Sequence, residues 1–246
     1  MEREACGGLT CRRFPLIFSV TYLEELARDF RRVLTAHADL LVIAVTATLA
    51  LTVSYYHGLR IPWFGPELRQ GFEILGRGLF FLLLPLASIL LLRIPLKELG
   101  FSWGEPRKWL RDVALLYLVM LPLLFLVSRQ PDFQQAYPYF RFAAKGWRWF
   151  LLAQLIQIAF MFCWEFLTRG YLLFGFYRKL GPIAVAIQMI PFVLLHSGKP
   201  ELETYGSIVA GLVLGVVALR ARSFYPCVLL HFAVAATLDV LSVVRF

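Results

Sequence analysis

Glu165 and Arg169 stand four residues apart inside an apolar run, and they are the first residues of this chain placed to do chemistry. Phe150 to Phe162 is almost all Leu, Ile, Ala, Phe and Met, broken only by Gln154 and Gln157, and Tyr171-Leu172-Leu173-Phe174 resumes the run. That composition reads as a membrane helix. An ionisable side chain at mid-membrane costs roughly 2.5–3.5 kcal/mol on insertion scales, so such a residue marks a functional site by default. The plainer alternative is a self-neutralising structural pair at helical spacing.

Three more ionisable residues follow in or beside apolar spans: His196, His231 and Asp239. A carboxylate with two imidazoles supports two kinds of hydrolysis. In one, the carboxylate and an imidazole activate water, and the second imidazole donates to an oxyanion. In the other, Glu165, His196 and His231 hold zinc. Zinc is the lesser alternative, because the histidines fall on different helices and no His-Glu-x-x-His pair occurs. Singly, each residue also has a bland reading: His196 as an interfacial helix end, His231 as a core histidine. Asp239 either orients His231 or approaches the far surface.

These residues need elements that bring them to one depth. Hydropathy predicts an all-α polytopic bundle of about seven, at most eight, spans. They run at about 39–56, 72–92, 112–127, 147–177, 183–195, 205–219 and 224–244. The fourth exceeds the roughly 20 residues a crossing needs, so it must tilt or protrude. Residues 128–145, with two prolines and five aromatics, read as a lid or an interfacial helix. Glu165 lies 16 residues before Gly181, roughly 24 Å from that surface at helical rise. His196 lies 14 residues after Pro182, roughly 21 Å, so antiparallel neighbours match the two. His231, about 7 residues into its span, sits at roughly 10 Å unless that helix starts deeper.

Ahead of the first span, Leu23, Leu26, Ala27, Phe30 and Leu34 oppose Glu24, Asp29, Arg31 and Arg32. That pattern predicts a helix on the membrane surface, or a polar extension of the first span. The expected division is thus 1–36, a tail with an amphipathic helix, and 37–246, one transmembrane bundle. Met1 to Arg13 lacks a signal-peptide core, so the first span is expected to direct insertion.

The chain is 59% hydrophobic, well above the roughly 45–50% of soluble domains. Its net charge of +9 is therefore read as loop cations facing lipid phosphates, not as a nucleic-acid surface. Lys and Arg are in excess on the amino-terminal side, which predicts a cytoplasmic amino terminus of a multi-pass cell-membrane protein. Cys163 and Cys227 read as packing residues, and Cys6 and Cys11 as tail thiols or a lipidation site.

Glu165-Phe166-Leu167-Thr168-Arg169-Gly170, Phe192-Val193-Leu194-Leu195-His196 and His231 together resemble the motifs of the CAAX-protease and bacteriocin-processing family, over about residues 150–244. The resemblance implies an intramembrane endopeptidase with no obligatory cofactor, acting on a membrane-associated peptide or protein. It assigns water activation to Glu165 and His196, oxyanion stabilisation to His231, and orientation of the carboxylate to Arg169, with Phe192 packing beside the site. Two positions depart from the family pattern. Trp164 stands where the family's first glutamate carries the base, so Glu165 would need a helix rotation of about 100° to take its place. Ala235 stands where an Asn or Asp is expected, and loss of such an oxyanion donor typically costs about 10²–10³ in rate. The alternative implied by the same resemblance is a catalytically silent scaffold or immunity protein.

Overall fold

The computed structural model describes residues 20–57 and 65–244. The expected flexible tail, with Cys6 and Cys11, and the first half of the Gly58–Gln70 connection lie outside the described residues. Among the described residues every regular element is helical: α1 (Val20–Ala36), α2 (Ala38–Tyr56), α3 (Pro66–Leu92), α4 (Pro106–Val127), the short α5 (Pro131–Ala136), α6 (Trp147–Glu165), α7 (Phe174–Leu180), α8 (Ile183–Leu194), α9 (Glu201–Ala221) and α10 (Tyr225–Val243). The expected all-α polytopic bundle is what the chain forms. Six stretches are long and apolar enough to cross a membrane, with α8 a shorter apolar helix beside them.

The described residues up to Leu41 and those from Val42 onward form separate compact units. In the first, α1 leaves Leu23, Leu26, Phe30 and Leu34 exposed along one side. The amphipathic pattern predicted for residues 20–34 is thus carried by a helix.

In the second unit the sequence punctuates its helices. Pro66 and Pro106 occupy first-turn positions, where a missing N–H costs nothing. Gly181, at φ +62°, ends α7, and Pro182 precedes the next helix. Three helices begin earlier than hydropathy predicts: α3 starts at Pro66, α4 at Pro106 and α9 at Glu201, because their charged first turns are helical but not apolar. Gly104 has a structural reason to be glycine: its φ is +54°, and a Cβ would lie 2.1 Å from the Ala221 carbonyl.

Residues 147–180 form one continuous helical stretch at the centre of the bundle, 61% of its apolar window being buried against 11% for α4. Phe160 and Cys163 press on Gly78 of α3, and α10 packs along α6. The connection 128–146 is a packed strap. Its Phe140, Phe142 and Ala143 are buried with Ala153 and Ile156 of α6, and its Phe133 and Tyr137 with Leu124 and Leu238.

Candidate functional site

The central helix changes its winding where the charges lie. Residues Phe166–Leu173 form a π-helix, all buried, joining α6 to α7. π segments widen the turn and recur at functional sites. The Thr168 hydroxyl donates to the Trp164 carbonyl at 2.9 Å. Gly170 lets the chain at Leu99 approach; a Cβ there would stand 3.2 Å from the Leu99 carbonyl and 2.7 Å from the Phe166 ring.

Glu165 is fully buried and has two partners. His231 Nδ1 lies 2.6 Å from Glu165 Oε1. Arg169 Nη1 donates to the same oxygen at 3.1 Å and lies 3.1 Å from Oε2 without hydrogen-bond alignment. Nη1 also reaches Thr168 Oγ1 at 3.0 Å. The Arg169 guanidinium, itself fully buried, lies 3.8 Å from the Phe192 ring centre, a cation–π contact in a dry setting.

Two hydrogen bonds set the histidine tautomers. His196 Nδ1 lies 2.8 Å from the Phe192 carbonyl, and a carbonyl only accepts, so that nitrogen carries the hydrogen. An ionised Glu165 likewise only accepts, so His231 Nδ1 donates to it. Neutral imidazoles in these tautomers both present Nε2 as an acceptor. The rings are 5.8 Å apart and inclined by 22°. His231 is a little exposed, while His196 is buried.

Glu165, Arg169 and His231 are thus in direct contact, and Phe192 packs beside them as expected. His196 joins the cluster through rings: it touches His231, Phe192 and Trp164, whose centre is 5.3 Å away. The hydrogen-bond partner of Glu165 is His231, where the resemblance assigned water activation to Glu165 with His196. The depth count placed His231 well short of Glu165, whereas the two side chains are in contact.

Trp164 fills the position of the expected glutamate. Its indole is buried against His196, His231, Phe192, Phe81 and Phe160. Ala235 is buried and brings no polar group. Asp239 neither orients His231 nor reaches a surface. It accepts from the Tyr139 backbone N–H at 2.8 Å and from Gln154 Nε2 at 2.9 Å, fastening the strap to α6 and α10. The order of polar residues gave no sign of that link across 100 residues. Thr168 was also missed as a partner of Arg169, although it lies inside the motif. Cys163 and Cys227 are buried and free. Among the described residues, no group of three His, Cys, Asp or Glu side chains is placed to hold a metal.

Among the comparisons with known proteins, one family model matches, over the helices that carry the site. Residues 141–237 match the family model described as type II CAAX prenyl endopeptidase Rce1-like, which bears out the family reading made from the three motifs. No curated protein and no solved structure matches the chain.

Proposed function

From a multi-pass membrane bundle that matches CAAX endopeptidases over residues 141–237, we propose an intramembrane endopeptidase in which His231, backed by Glu165, activates water. The observation that carries this reading is the 2.6 Å contact between His231 Nδ1 and a buried Glu165. A carboxylate so placed fixes the imidazole tautomer and stabilises the imidazolium once it forms. Arg169 holds the carboxylate in line.

The step balances as follows. Water donates one hydrogen to His231 Nε2 and points the other at His196 Nε2. The water oxygen bonds to the peptide carbonyl carbon as its proton passes to His231, and the carbonyl electron pair moves onto oxygen. Collapse of this intermediate breaks the C–N bond, and His231 returns its proton to the leaving amine. The products are a carboxylic acid and an amine.

The substrate class that fits is a membrane-associated protein or peptide; the matching family's name points to a prenylated carboxyl-terminal peptide. The bilayer is the other partner, and no nucleic acid is involved. This route needs no cofactor. A zinc-dependent version predicts loss of activity with a chelator.

Glu165→Gln should lower cleavage of a farnesylated CAAX peptide by liposome-reconstituted protein by about 10²–10⁴, the span of general acid–base catalysis. Cleavage by the variant at the wild-type rate sinks the proposal. One observation favours the second reading, a silent scaffold: an indole, Trp164, packs on both histidines at the position where the resemblance implies a glutamate base. Wild-type protein that cleaves no peptide, lipidated or not, supports it.

A further inference from the structure

Hydrolysis by the route above leaves one requirement unmet. Negative charge develops on the carbonyl oxygen, and stabilising it takes preorganised donors. Neither histidine supplies one in the resting site, since both Nδ1–H groups are engaged and both Nε2 atoms are acceptors. Ala235, one turn beyond His231, has no donor to offer.

Among the described residues, Trp164 is the donor-bearing side chain whose ring contacts both histidines, at 5.3 Å from His196 and 5.8 Å from His231. Its Nε1–H is buried and meets no hydrogen-bond acceptor. An indole N–H is a donor only, and a buried donor left unpaired costs about 1–3 kcal/mol. Phe81, Phe160 and Phe192, the other rings around it, carry no acceptor. Arg169 also has unpartnered Nε and Nη2 atoms, but its charge is bound to Glu165 and its plane lies on Phe192.

We propose that Trp164 is a catalytic residue whose Nε1–H binds the oxyanion of the tetrahedral intermediate, in place of the donor missing at Ala235. The inference rests on the endopeptidase reading and gives the non-family residue a task within it. The unpartnered indole is then matched by substrate: the carbonyl oxygen of the scissile bond accepts from Nε1 as it gains charge. No other group moves, and the proton inventory of the hydrolytic step is unchanged.

The test uses full-length protein in liposomes with a farnesylated CAAX peptide, comparing wild type, Glu165→Gln, Trp164→Phe and Trp164→Gln. Trp164→Phe keeps an aromatic ring and removes the donor. Its kcat should fall about 10²–10³ with little change in KM, because the lost contact forms only in the transition state. Trp164→Gln, which restores a donor without the ring, should recover part of that loss; a packing role predicts the opposite order. If Trp164→Phe does not fold, replacing Trp164 by its benzothiophene isostere, which swaps N–H for sulfur, takes its place. A donor-less variant retaining kcat within about threefold of wild type, while Glu165→Gln is inactive, overturns the inference and leaves the endopeptidase reading standing. Wild-type protein without cleavage overturns both.

Discussion

At the scale of single residues, the Glu165–Arg169 pair combines two roles that can be separated by substitution. Both side chains are 0% exposed, so removing either charge strands the other in a dry site. Breaking a buried pair typically costs about 3–5 kcal/mol, whereas replacing both partners with neutral groups is often near neutral. Arg169→Met alone should therefore lower the melting temperature in detergent sharply. The double variant Glu165→Gln/Arg169→Met should regain most of that stability and remain inactive in peptide cleavage. Recovery of activity in the double variant would place the pair outside the chemistry. The i, i+4 spacing that first suggested a self-neutralising pair was correct as far as it went. What it hid was the third partner, since His231 reaches the same oxygen from 66 residues away.

At the scale of elements, the strap is fastened to α10 and α6, the helices that also carry His231 and Glu165. The Tyr139 N–H and the Gln154 amide share the two oxygens of Asp239. Tyr137 donates to Glu203 Oε2 at 2.8 Å, and Lys199 closes on Glu203 Oε1 at 2.6 Å. Burial, and then the Glu203 carboxylate, hold the Tyr137 phenol well above its ordinary pKa, so it remains a donor. Thr204 donates to the carbonyl of His196 at 3.0 Å, which ties this anchor region to the turn bearing the second histidine. Asp239→Ala leaves two donors without their acceptor, at about 1–3 kcal/mol each. The expected outcome is faster proteolysis within residues 128–146, with cleavage sites elsewhere unchanged. Protection equal to wild type would mean that the aromatic packing of Phe140 and Phe142 holds the strap unaided. The π segment belongs to the same scale: its wide turn and the bare Gly170 let the Leu96–Leu99 turn sit close to the charged motif.

At the scale of the whole molecule, the question is how often the chain crosses the bilayer. α8 has 12 residues, about 18 Å of helix, which falls short of a hydrocarbon core of about 30 Å. The turn at residues 195–200 adds length before α9 begins. If α8 and this turn complete a crossing, the two chain ends are expected on opposite faces, and the excess of Lys and Arg predicts a cytoplasmic amino terminus. Reporter fusions at each end should then score oppositely, with the amino-terminal reporter cytoplasmic. Reporters on the same side would make α8 a re-entrant segment.

The sequence by itself determined the helical class, the approximate positions of the apolar helices, and the identity of the charged residues. It did so because apolar runs of membrane length and in-membrane charges are local signals, readable without knowing what stands opposite. It also carried the family likeness, since the three motifs keep their order along the chain. Only the tertiary structure decided the partners. Depth counting along single helices kept His231 apart from Glu165, whereas packing of α10 against α6 brings the two into contact. Likewise the π winding after Glu165, the strap held by Asp239, and the indole of Trp164 set between two histidines are pairings across the bundle. Hydropathy and helical periodicity describe one segment at a time, whereas these contacts exist only after the segments have packed.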